Sequence, residues 1–121
     1  MKPVKVGICG LGTVGGGTFN VLQRNAAEIA RRAGRGIEVA QIAARQLNPA
    51  CELGDTPVLD DVFAVVNNPE IDIVVELIGG SGVAREVVLQ AIANGKHVVT
   101  AMIRAQLIEL TATSRVPFRK P

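Results

Sequence analysis

Gly10-Leu11-Gly12-Thr13-Val14-Gly15 forms a G-x-G-x-x-G run. Glycine-rich chains produce that spacing by chance, and this chain carries 13 glycines. Context gives the run its weight. It follows a β-branched apolar stretch, Val4 to Cys9, and opens a stretch of helical periodicity. In that setting each glycine has a chemical reason. Gly10 permits a tight turn from strand to helix, and Gly12 leaves room for a pyrophosphate against the backbone. Gly15 lets the helix pack close to the sheet. The free N–H groups and positive end of the helix then face the phosphates. A structural turn that holds no ligand is the plainer alternative.

The end of the second apolar run adds a cofactor preference. A site for NAD usually places Asp or Glu there to accept hydrogen bonds from the adenosine ribose. Here the residues are Ile42-Ala43-Ala44-Arg45-Gln46, with no acid until Glu52. The guanidinium of Arg45 can pair with a 2′-phosphate, which points to NADP, with NAD also admitted. A solvated surface arginine is the competing reading. Further along, Gly79 and Gly80 follow an apolar run and would let backbone approach the nicotinamide half. Glu76 beside them could face solvent, anchor a neighbouring loop or touch a substrate, and a structural role is the expectation. His97 and the two cysteines, Cys9 and Cys51, have no partners at metal or redox spacing. They are expected to be structural or incidental, in a reducing cytoplasm.

These groups need a scaffold that brings strand ends together. Val4 to Cys9 is the first expected strand. From Gly12 to Ala33 one helix is expected, because Phe19, Leu22, Ala26, Ile29, Ala30 and Ala33 recur at three- and four-residue steps. Arg31 and Arg32 suit its last turn, and Gly34 its stop. A second strand spans Ile37 to Ala44. Arg45 to Pro57 reads as loop. Asp60 and Asp61 are candidate caps for a short helix over Val62 to Asn67. Ile71 to Ile78 is a third strand, followed by a helix whose inward face is Ala84, Val87, Val88, Ala91 and Ile92. His97 to Ala101 is a fourth. Alternation of strand and helix predicts an α/β domain with a parallel sheet, ordered second, first, third, fourth.

Composition narrows the function classes. At 121 residues, 48% apolar and 20% charged, the chain suits one folded domain rather than a disordered segment. A net charge of +2 with three Phe and no Trp or Tyr argues against nucleic acid. No apolar run has membrane-spanning length, and the first residues enter a strand directly, with no stretch resembling a signal peptide.

The same residues, taken in order, resemble the N-terminal region of homoserine dehydrogenases. The resemblance runs from about Lys5 to Ala101 through GLGTVGGG, EIARRAG, Ala44-Arg45-Gln46-Leu47, DIVVELIGG and AIANGKHVVTA. It implies a Rossmann-type parallel sheet with flanking helices, incomplete at the C-terminus. It also implies reversible NAD(P)H-dependent reduction of aspartate 4-semialdehyde to homoserine, on the route to threonine and methionine. Carried over, Leu11, Thr13 and Val14 would line the pyrophosphate, Arg45 the 2′-phosphate, and Gly79, Gly80 and Thr100 the nicotinamide.

After Ala101 the pattern departs. The family continues with Asn-Lys, whereas this chain has Met102 and Ile103. Residues 1–101 are therefore expected to form the cofactor domain and 102–121 an aberrant tail. The codons of Thr111 to Ser114, read one base earlier, can encode Tyr, His or Asp and then Gly-Asn-Glu, a run the family tends to show shortly after its Asn-Lys, which suggests a frame shift near Met102. No catalytic residue is expected, and without the family's dimerisation domain a monomer or weak association is expected. The competing readings are another oxidoreductase of the same fold, a stand-alone NADPH-binding regulatory module, and S-adenosylmethionine binding. The first lacks its usual Glu-Lys-Pro, and the last lacks an acid on the second strand.

Overall fold

A computed structural model describes residues 2–78 and 82–101. Its elements are β1 (Val4–Cys9), α1 (Thr13–Arg24), α2 (Ala26–Ala33), β2 (Ile37–Ala43), β3 (Val58–Leu59), α3 (Val62–Val66), β4 (Ile73–Glu76), α4 (Gly82–Ala93) and β5 (His97–Thr100). The strands pair in parallel in the order β3-β2-β1-β4-β5. The order expected from sequence holds, with one short strand added outside β2. Among the described residues no helix is long and apolar enough to cross a membrane.

The central strands β1, β2 and β4 are largely buried, which is why they are mostly apolar. Val6 and Ile8 of β1 join Val39, Ile42 and Phe19 on the side of α1. Cys9 points the other way, into a cluster with Ala43, Val74, Val65 of α3, and Val87 and Ala91 of α4. Phe19 is fully buried, and removing a side chain of that size from water contributes about 1.5–3 kcal/mol. The parallel sheet expected from the alternation is observed, and helices flank both of its faces in the Rossmann-type arrangement that the resemblance implies.

Several boundaries differ from the sequence expectations. The single helix from Gly12 to Ala33 is two helices that meet at Asn25. There the side-chain amide and the backbone N–H both donate to the Val21 carbonyl, at 2.9 and 3.0 Å. An Asn that competes for a backbone acceptor disturbs the helix where it stands. The expected apolar face also thins out, since Ala26, Ile29 and Ala30 are only half-buried and Ala33 is exposed. Gly34 does terminate α2, with φ of 74° and its N–H on the Ala30 carbonyl.

Between the expected loop, Arg45 to Pro57, and Asp60 lies β3, for which no element was expected. Val58 and Leu59 add a strand to the outer edge of β2, where Ala44 N–H donates to the Leu59 carbonyl at 2.8 Å. Two residues are too few to show any periodicity. The pairing exists because the edge of β2 has backbone groups to satisfy. The third strand is shorter than Ile71 to Ile78. Its ladder closes at Glu76, whose carboxylate accepts from Ile78 N–H at 2.8 Å and turns the chain out of the sheet. Of the two candidate caps, Asp61 is the one used, accepting from Phe63 N–H at 2.9 Å. In α4 the expected inward face holds, with Ala84, Val87, Val88 and Ala91 buried and Ile92 half-buried.

Candidate functional site

From β1 the chain steps to β2 on one side and reaches β4 on the other. The carboxyl ends of β1 and β4 therefore border the point where the strand order reverses, the usual ligand crevice of open α/β sheets. Gly10 leaves β1 there with φ of +103°, a conformation that L side chains rarely adopt. Its N–H donates to the Ala43 carbonyl at 2.8 Å. A Cβ on Gly10 would lie 2.9 Å from the Leu77 carbonyl oxygen, so the loops after β1 and β4 touch at this residue.

The three motif glycines have different surroundings. A Cβ on Gly15 would fall 2.0 Å from the Gly10 carbonyl oxygen, so only glycine lets α1 start this close to the loop. A Cβ on Gly12 would meet nothing within 4 Å. The space over Gly12 is free of protein, as a bound pyrophosphate needs. Gly12 is also the N-cap of α1, with no side-chain capping bond and no acid in the first turn. The first N–H groups of α1 thus meet no competing anion from its own first turn, and the residues fit a dinucleotide's phosphates.

The other expected site residues are partly brought together. Leu11 has its side chain in the core, 5% exposed, so it can serve the crevice only through its backbone. Val14 stands out from α1, 62% exposed. Gly79 and Gly80 lie outside the described residues, and so does the side chain of Thr13. Arg45 is exposed two residues beyond the end of β2, and among the described residues no carboxylate pairs with it.

Thr100 ends β5 beside β4, and its hydroxyl donates to Glu76 at 2.6 Å. Glu76 is 1% exposed and holds both Thr100 and the turn at Ile78. Of the three uses open to Glu76 in the sequence, anchoring a neighbouring loop is the one seen. Burial, with the nearby charge of Glu76, pushes the Cys9 thiol up to about 12. Cys9 is thus a neutral core side chain rather than a nucleophile.

Sequence reasoning missed Asn48. Its Nδ2 donates to the carbonyls of Leu11 and Gly12 at 3.2 and 3.3 Å, while its Oδ1 accepts from Ala50 N–H at 2.9 Å. The turn it starts lies against α1. Asn20 donates to the Ala50 carbonyl, and the Cys51 thiol to the Gly16 carbonyl. The only local signal was an Asn-Pro pair inside a presumed loop. Its partners are 36 and 37 residues away, beyond the reach of any periodicity.

A cleft of about 720 Å³ opens at the opposite, amino edge of the sheet, between Arg35, Asp72, Lys96 and His97. Its polar groups are largely committed to backbone: Lys96 Nζ donates to the carbonyls of Asn68 and Ile71, and Arg35 to that of Lys2.

A family model described as homoserine dehydrogenase, NAD binding domain, matches residues 10–116. The match runs past Ala101, where the resemblance read from sequence ends. The homoserine dehydrogenase of Pseudomonas aeruginosa is 77% identical over 101 residues, covering 84% of this chain and 23% of that protein. That of Methylobacillus glycogenes is 57% identical over 122 residues, covering 99% of this chain and 29% of its own length. The crystal structure of a homoserine dehydrogenase from Thiobacillus denitrificans superposes with a TM-score of 0.81 at 56% identity, over 95% of this chain and 28% of that one. The chain spans about a quarter of the length of these relatives. A glycine loop at the switch point of a parallel sheet, matched along this length, places the chain in the homoserine dehydrogenase family as an NAD-binding domain whose ligand is a nicotinamide dinucleotide.

Proposed function

We propose that the chain binds NADP in preference to NAD, as the cofactor-binding part of an enzyme that interconverts aspartate 4-semialdehyde and homoserine. One observation carries the cofactor choice. Beyond β2, where an NAD site usually has an acid, stands the exposed Arg45. In this reading the backbone of the Gly10–Gly15 loop holds the pyrophosphate and Arg45 the 2′-phosphate. Leu11, Thr13 and Val14 complete the phosphate side, and Gly79, Gly80 and Thr100 border the nicotinamide, which supplies the hydride when bound. Thr100 is held by Glu76, so its role there is to shape the wall.

A charge-assisted hydrogen bond contributes about 1.5–3 kcal/mol, so NADPH binds on the order of tenfold or more tightly than NADH. Calorimetric titration of both cofactors tests this, and equal affinities overturn the role of Arg45. The Arg45→Asp variant reverses the order, because its carboxylate accepts from ribose hydroxyls and repels a phosphate.

Residues 1–101 form the cofactor domain in this proposal, and residues 102–121 add no catalytic group. Reduction of a carbonyl needs a donor or cation for the developing alkoxide as well as an aligned hydride. Met102 and Ile103, where the family resemblance leads one to expect Asn-Lys, offer neither. The 121-residue chain given NADPH and aspartate 4-semialdehyde shows no NADPH oxidation above background. Arg104 is a cation one residue beyond the position of that Lys; turnover that survives repurification and the Arg104→Ala substitution overturns that expectation.

A further inference from the structure

On the reading that this crevice takes a nicotinamide dinucleotide, we infer that Asn48 is a positioning residue that fastens the Arg45 arm to the glycine loop. Residues 45–47 form a short exposed span between two pins. One pin is Ala44, whose N–H donates to the Leu59 carbonyl at 2.8 Å. The other is Asn48, whose amide donates to Leu11 and Gly12 within the glycine loop. The backbone of Arg45 therefore cannot move far from the loop without breaking one of them.

The chemistry of the pin suits asparagine alone among small residues. One amide presents two donors and an acceptor, and all three are engaged: two loop carbonyls on Nδ2, and Ala50 N–H on Oδ1. Aspartate lacks the donors, and serine is too short to span both carbonyls and the turn. Gly16 completes the arrangement from the other side. A Cβ there would lie 2.3 Å from Asn48 Nδ2 and 3.1 Å from Cys51 Sγ. The fourth glycine in this stretch, outside the G-x-G-x-x-G spacing, thus makes room for the clasp. With the carbonyls of Leu11 and Gly12 drawn toward Asn48, the loop has fewer ways to turn its N–H groups away from a phosphate.

The clasp serves both the part common to the two cofactors and the part that separates them. Asn48→Ala therefore weakens NADPH by about tenfold or more, weakens NADH less, and shrinks the preference between them. It also uncouples Arg45: Arg45→Ala costs about tenfold in NADPH affinity in the native background and less than about threefold beside Asn48→Ala. Asn48→Ser, which keeps an acceptor for Ala50 N–H but not both donors, shows the same loss while preserving the turn. Gly16→Ala, which displaces Asn48, reproduces the effect and adds little to Asn48→Ala.

Titration of the 121-residue chain and these variants with NADPH and NADH, beside thermal unfolding, decides the matter. If Asn48→Ala and Asn48→Ser keep both affinities within about twofold of native, the positioning role is overturned while the cofactor reading stands. Equal losses for both cofactors, with the Arg45→Ala effect undiminished, overturn it as well. A native chain that binds neither dinucleotide overturns the cofactor reading itself.

Discussion

Gly12→Val abolishes dinucleotide binding and leaves the chain folded. The two halves of that expectation have separate causes. Gly12 has φ of −73° and ψ of −153°, an extended conformation without the positive φ that bars a side chain. Its Cβ would have nothing within 4 Å apart from its chain neighbours, so a side chain starts out into open space. Valine is a poorer N-cap than glycine, which costs about 1 kcal/mol at most. The unfolding transition therefore moves little. The same free space is where the pyrophosphate would lie against the backbone, and two methyl groups fill it. Overlap of that kind costs about 3 kcal/mol or more, so affinity for NADPH falls by about 100-fold or beyond detection. Calorimetry and thermal unfolding on one preparation check both halves. Native affinity in Gly12→Val shows that the phosphates lie elsewhere, whatever happens to the fold.

Gly15→Ala gives the opposite pattern, and even one methyl group is enough. Its Cβ would fall 2.0 Å from the Gly10 carbonyl oxygen and 2.8 Å from the carbonyl carbon. These are backbone atoms, with no rotamer to move aside. Gly10 cannot retreat either, since its N–H is tied to Ala43 and its Cα lies against Leu77. The start of α1 must lift away, and Phe19, fully buried in the same helix, loses part of its packing. Destabilisation of about 3 kcal/mol or more is expected, a large share of the 5–15 kcal/mol that domains of this size possess. Urea unfolding measures it. A native midpoint for Gly15→Ala refutes the tight approach of α1 to the loop. Two glycines three positions apart in one motif are thus separated by experiment, one meeting the ligand and the other the fold.

Much of this architecture was legible in the residues. β1 and the inward face of α4 followed from apolar patterning, because burial on both faces or along one stripe leaves its period in the chain. The glycine loop was legible because a tight turn and a close helix start admit almost no other residue. Arg45, with no acid beside it, could be read just beyond the second strand, and the structure leaves it exposed there; its task at a 2′-phosphate belongs to the proposal. The break at Asn25 was not. A helical period continues across it, and competition between a side-chain amide and a backbone N–H for one carbonyl leaves no mark on hydrophobic spacing.

The sequence by itself determined the class of sheet, the order of its four longer strands, and a tight glycine turn from the first strand into its helix. These depend on local rules: period, turn chemistry and the handedness of crossovers. Only the tertiary structure decided which glycine faces open space and which faces backbone, since that depends on how near α1 comes to Gly10. It alone placed Leu11 in the core, gave Glu76 to Thr100 and Ile78, and brought Asn48 to the glycine loop. Those are hydrogen bonds and contacts made after the strands align, and a polar side chain finds such partners by proximity in space rather than by spacing along the chain.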